Sequence, residues 1–263
     1  MQTQQNIRLH IDIDLKAFLD EKVDQYNNPA FVDADPVSIP HRFSQKEDIE
    51  IAGFLAATIA WGSRPQIVKS GHKLVELMGN SPFDFVMSYS NNQLGRLDSY
   101  VHRTFNGNDL RYFAKALRHI YNKYGGIENL FVKHATDDSL QPAIHEFRNY
   151  FFEIDHPLRT EKHVSDPSKG SAAKRMNMYL RWLVRNDNKG VDLGIWKKLR
   201  TSQLSCPLDL HSGKVARKLG LLHRTQNDSK AVIELDKSLR ILDATDPVKY
   251  DFALFGLGIF ESF

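Results

Sequence analysis

The sequence predicts an all-α protein built as two helical lobes. Three observations carry that expectation. Apolar residues recur at helical spacing through nearly the whole chain. No stretch shows a convincing apolar–polar alternation, the mark of a half-buried strand. A polar stretch with Pro and Gly, residues 157–171, separates two helical runs and reads as a boundary.

The elements follow in order. IRLHIDIDL, near the N-terminus, is the nearest approach to alternation, and it reads as a helix start running on into KAFLDEKVDQY. SQKEDIEIAGFLAATIAWG opens with Ser44 and Glu47 at capping-box spacing and closes at Gly62. Within it Ile51, Phe54, Leu55, Thr58 and Ile59 share one helical face. PQIVKSGHKLVELMG is a second helix, closed near Gly79, and NDLRYFAKALRHIYNKYGG a third, stopped by Gly125 and Gly126. IENLFVKHA and SLQPAIHEFRNYFFEI complete the first half. SAAKRMNMYLRWLVR is the clearest helix of the second half, followed by SGKVARKLG and SKAVIELDKSLRIL. VKYDFALFGLGIF closes the chain; it is apolar, carries two glycines and is too short for a bilayer, so it is expected to pack between the lobes. There are no repeats and no low-complexity tracts.

Composition narrows the chemistry. The chain has 263 residues, 41% of them hydrophobic, enough for one sizeable core or two lobes sharing one. Cys206 is the single cysteine, so one chain cannot build a disulfide, a thiolate zinc site or a cysteine-held iron–sulfur cluster. Charges run through the N-terminal stretch where a signal peptide would be apolar, and no run suits a bilayer, so a cytoplasmic protein without a membrane partner is expected. The net charge of +3 hides an asymmetry: residues 159–224 hold 15 basic and 5 acidic residues, a net of +10. Such a segment suits a polyanion, and a merely solvated basic surface is the plain alternative.

The segment DPSKGSAAKRMNMYLRWLVR concentrates this charge. Pro167 and Gly170 shape a turn, Ser168 or Ser171 can cap the helix, and Lys169 stands beside free backbone amides suited to an anion. Met176, Tyr179, Leu180 and Leu183 make a core face, whereas Lys174, Arg181 and Arg185 share another, a basic stripe suited to phosphates. Lys174 lies in the first turn, beside Arg175; it is either a solvated charge or, as a free amine, a nucleophile. Downstream, CPLDLHSGKVARK sets Asp209 at an N-cap, followed by His211, Lys214 and Arg217. His211 is expected to bond a backbone carbonyl, and Cys206 to be inert. Trp182 and Trp196 are expected in the core, while Trp61, followed by Gly62, is a candidate to stack on a base or wedge a duplex.

Taken together, GSAAKRMNMYL and LDLHSGKVARKLGL resemble the active-site segments of the helix-hairpin-helix base-excision DNA glycosylases, the endonuclease III superfamily. IAGFLAATIAWGSRPQIV is similar to that superfamily's early helix and DNA-probing loop. The hairpin is reduced to Lys169, Gly170 and Ser171, Asp209 follows Lys174 by 35 residues, and no cysteine cluster exists. In these respects the chain looks most like the archaeal 8-oxoguanine DNA glycosylases. Through KRMNMYLRWLVR, VDLGIW and DPVKYDFALF the whole chain also resembles a bacterial family of conserved, uncharacterised proteins.

The resemblance implies two helical lobes with a cleft between them: residues 44–165 in one, residues 1–43 plus 166–263 in the other, basic one. It implies a DNA repair glycosylase with AP-lyase activity, with Lys174 as nucleophile through a Schiff base and Asp209 as the catalytic carboxylate. Double-stranded DNA would lie against Lys169, Gly170, Ser171, Arg175, Arg181, Arg185, Lys214 and Arg217, with Trp61, Ser63 and Arg64 near the minor groove. Neither a metal nor a cofactor is needed for this chemistry. The alternatives are a non-catalytic nucleic-acid-binding protein with a glycosylase-like fold and a helical protein that does not act on nucleic acid.

Overall fold

A computed structural model describes the backbone of residues 2–261 and 263, and side chains from Asp14 onward within them. Among the described residues twelve α-helices run in chain order: α1 (Gln2–Tyr26), α2 (Lys46–Thr58), α3 (Arg64–Leu77), α4 (Pro82–Ser88), α5 (Asn91–Arg96), α6 (Gly107–Tyr124), α7 (Ile127–His134), α8 (Gln141–Phe151), α9 (Lys174–Val184), α10 (Leu210–Lys218), α11 (Ser229–Leu242) and α12 (Tyr250–Phe260). Between α5 and α6, β1 (Val101–His102) pairs antiparallel with β2 (Phe105–Asn106), the one sheet among the described residues. The fold class is therefore all-α. No described helix is long and apolar enough to cross a membrane.

The helix ends show how local chemistry decides boundaries. α6 is stopped by Gly125 at φ 73°, as its sequence predicts, and its start is closed by a capping box of Asn106 and Asp109. The box expected at Ser44 and Glu47 does not form. α2 starts after Gln45, without a side-chain cap, and Glu47 and Asp48 instead lie in its first turn, where the helix dipole favours acids. Neither Ser168 nor Ser171 caps α9: its N-cap is Ala173, in the left-handed region at φ 46°. Ser171 Oγ accepts from Ala173 N–H, and Ser168 Oγ bonds to Asp166. A left-handed alanine costs roughly 1–2 kcal/mol, so packing must enforce it, and Ala173 is buried.

Among the described residues, buried side chains form two hydrophobic clusters. The larger spans Val37 to Leu204 and takes in Val248 and Phe252. The smaller joins Leu19 and Val23 of α1 to α10, α11 and α12. Helix α9, expected in the second lobe, lies in the larger cluster: it packs on α2, Tyr179 rests against Phe54, and its hydroxyl donates to the Glu50 carbonyl at 3.1 Å. Trp182 and Trp196 are fully buried in the same cluster, as their size predicts, and Trp196 Nε1 donates to Glu50 at 2.7 Å. The physical reason is the width of α9's apolar face. Every residue from Met176 to Val184 is buried, so α9 is enclosed by its neighbours.

Helix α12 joins the clusters. It packs on α1 and α10 in the smaller one, and Phe252 reaches the larger. Its contact with α1 is so close that a Cβ on Gly256 would stand 2.1 Å from the ring of Tyr26.

Candidate functional site

Helices α9 and α10 begin beside one another. Lys174 is the first residue of α9, projected by the left-handed turn at Ala173. Asp209 is the N-cap of α10 and completes a capping box with Ser212. Its Oδ1 accepts from the backbone of His211 at 2.8 Å and of Ser212 at 3.0 Å, and from Ser212 Oγ at 3.2 Å. Capping therefore occupies one oxygen. The other, Oδ2, stands 3.6 Å from Lys174 Nζ, with both side chains roughly three-quarters buried, exposed by 24% and 30%. Two residues 35 apart in sequence thus form a partly buried ion pair.

The pair lies on a cavity of about 280 Å³, close to the lower limit of small-molecule sites. Aromatic rings line it: Phe31, Trp61, Phe252 and Phe255. Its buried polar members are Asp35, Arg181 and Asp251, and His211 and Ile259 lie at exposed positions. Burial raises the Asp251 carboxyl to about 6; Arg181 opposes that shift and Asp209 adds to it. Burial likewise pushes Asp35 up, against a backbone hydrogen bond from Val37 and the charges of Arg64, Arg181 and Lys174. The cavity thus combines an amine, a capped carboxylate and two further carboxyls inside an aromatic lining.

The structure rearranges the expected basic surface. Arg181 and Arg185 do not form a stripe facing phosphates. They are 4% and 2% exposed. Arg181 bonds Asp192 at 3.1 Å and also pairs with Asp251. Arg185 bonds Asp192 and both oxygens of Asp246 at 3.0 Å, and Asp187 at 2.8 Å. A guanidinium buried this way needs all its carboxylate partners and is closed to a ligand phosphate. Asp246 and Asp251 lie outside the basic segment, as do Asp109 and Asp228, which pair with Arg159 and Arg224. The asymmetry along the chain is therefore partly neutralised in space.

The other positions divide similarly. Arg175 is partly buried, donates to the Thr58 carbonyl and lies over the Trp61 ring. Trp61 stacks on His163 and meets the edge of His102, so it is pinned and does not project as a wedge. Arg64 is partly buried, lies 4.5 Å from the centroid of Phe255 and lines the cavity. Arg217 donates to the Arg224 carbonyl and to Asn227. Lys169, Gly170, Ser63 and Lys214 are exposed. Gly170 takes φ 90°, and Ser171 bridges to Asp228. Leu158–His163 and Pro167–Lys169, which precede this turn, are 3-10 turns, and no α-helix leads into it. His211 bonds no backbone carbonyl through its ring among the described residues; it is exposed and lines the cavity. Cys206 is fully buried, and burial pushes its thiol well up, which suits an inert residue.

Asp35, Asp251 and the phenylalanines of the cavity escaped sequence reasoning. Asp35 sits in DADP and reads as a turn residue, which it also is, accepting from Val37 N–H. Asp251 carried a readable signal, a lone acid at the head of the apolar run DFALFGLGIF.

A family profile described as "Protein of unknown function (DUF2400)" matches residues 35–260. The chain belongs to that family. A search of curated proteins and a search of solved structures each found no match.

Proposed function

We propose that this member of the DUF2400 family is a DNA repair glycosylase with AP-lyase activity, on a two-lobed plan like that of the helix-hairpin-helix glycosylases. The observation that carries the reading is the Lys174–Asp209 pair, 3.6 Å apart on an aromatic-lined cavity. In this reading a flipped nucleotide enters the cavity. Lys174, as the free amine, attacks the sugar C1′ while the glycosidic bond breaks and the base leaves with its electron pair. Asp209 Oδ2 takes up the lysine proton and faces the positive charge developing on the sugar. As the nitrogen lone pair forms the C=N bond, the C1′–O4′ bond breaks and Asp209 returns its proton to O4′, which opens the sugar ring and leaves a protonated Schiff base. Removal of a C2′ proton then expels the 3′ phosphate by β-elimination.

The test is borohydride trapping on duplexes carrying 8-oxoguanine, oxidised pyrimidine, uracil or an abasic site. The expected result is a covalent adduct that disappears with Lys174→Ala. If no duplex gives an adduct while salt-sensitive binding persists, the protein is a nucleic-acid-binding module. A second reading, a helical protein that does not act on nucleic acid, is favoured by the burial of Arg181 and Arg185. Absence of both adduct and binding would establish it in place of the first.

A further inference from the structure

The polar groups beyond Lys174 and Asp209 in the cavity are incompletely matched. Arg64 reaches it from the first turn of α3, packed on the rings of Phe31 and Phe255. Its Nη2 is buried and has no hydrogen-bond partner among the described residues. Asp35 is 8% exposed, and its carboxylate accepts one described hydrogen bond, from Val37 N–H to Oδ1 at 3.1 Å. Its Oδ2 is left without a described donor. The open Nη2 is a buried donor, costly unless a ligand meets it, and Asp35 offers a carboxylate acceptor on the same cavity. The rings beside them fit a flat partner.

We infer that Asp35 and Arg64 are the selecting pair of this cavity, and that they take a planar heterocycle presenting a lactam edge, a carbonyl oxygen beside a ring N–H. The inference rests on the base-excision reading, in which the glycosidic bond holds the base in one orientation. The carbonyl accepts from Arg64 Nη2 and the ring N–H donates to Asp35 Oδ2. Uracil, hypoxanthine and 8-oxoguanine carry such an edge. Adenine and cytosine exchange the donor and acceptor between ring and exocyclic atoms, so in the same orientation each residue meets the wrong atom. A site built on paired hydrogen bonds rejects such a mismatch strongly.

The experiment compares excision from duplexes carrying uracil, hypoxanthine or 8-oxoguanine with excision of 5-hydroxycytosine and of mismatched adenine. Trapping on an abasic duplex, which has no base to select, is the reference. The natural protein is expected to favour the lactam bases by about tenfold or more. Asp35→Asn and Arg64→Gln, each checked for folding by circular dichroism, are expected to lower the ratio of lactam-base excision to abasic trapping by about tenfold. An unchanged ratio in both variants, or a preference for amino bases, overturns the inference. If the natural protein does not trap the abasic duplex, the Schiff-base reading fails separately. Thermal shifts with free uracil, hypoxanthine, cytosine and adenine then decide. Stabilisation by the lactam bases that is lost in both variants upholds the inference, and equal or absent shifts overturn it.

Discussion

Asp209 divides its labour between two oxygens, and two substitutions separate them. Asp209→Ala removes the cap on α10, worth about 0.5–2 kcal/mol, and the ion pair with Lys174, worth about 0.2–1 kcal/mol at its partial exposure. The expected loss is roughly 1–2 kcal/mol, a fall in Tm of roughly 3–6 °C for a chain of this size. Asp209→Asn keeps an oxygen for the backbone amides of His211 and Ser212, and asparagine caps about as well as aspartate. Its Tm should fall by no more than about 3 °C. It nevertheless removes the charge that faces Lys174, so both variants should lose trapping by a factor of about 100 or more. Thermal unfolding and borohydride trapping on the same preparations read the two effects. An Asp209→Asn protein that traps like the natural one would remove Asp209 from the chemistry. One as unstable as Asp209→Ala would remove the division between the oxygens.

Two further predictions concern stability. Arg185→Ala should cost about 3–5 kcal/mol, because it leaves the fully buried Asp192 carboxylate short of a partner; thermal unfolding should show it, and a loss under about 0.5 kcal/mol would mean that Arg185 is merely solvated. Burial raises the Asp236 carboxyl to about 6, against hydrogen bonds from Ser205 and the Cys206 backbone. Folded Asp236 holds its proton more tightly than the unfolded chain does, so its contribution to stability is present below pH 4 and falls as pH rises to 6. Asp236→Asn should therefore gain on the natural protein between pH 4 and pH 8, by roughly 3 kcal/mol. Denaturant unfolding at the two pH values checks this, and a difference that does not change with pH refutes it.

The helices were legible because their signals are local. The glycines at 125 and 126 and the apolar faces of α2 and α6 mark their elements without reference to the rest of the chain. α4, α5 and the β1–β2 ladder were missed because each is too short to show a period. The capping box at Ser44 failed because a motif offers one way to satisfy a helix end, and the chain used another. The Lys174–Asp209 juxtaposition was reached through resemblance, since no local rule links residues 35 apart.

The sequence by itself determined the all-α class, most helix positions and the single cysteine, which leaves no disulfide or cysteine-held cluster within this chain. It also marked Asp209 as a cap, through the backbone amides that follow it in the chain. Only the tertiary structure decided which charges meet. Arg181 and Arg185 look like a surface stripe on a helical wheel, but Asp246 and Asp251 reach them from more than sixty residues away. The cavity draws Asp35, Arg64, Lys174, Asp209 and Asp251 from five separate segments. Periodicity and capping are properties of neighbouring residues, whereas burial and ion pairing are set by whatever the fold brings alongside, and it is those that give the cavity its chemistry.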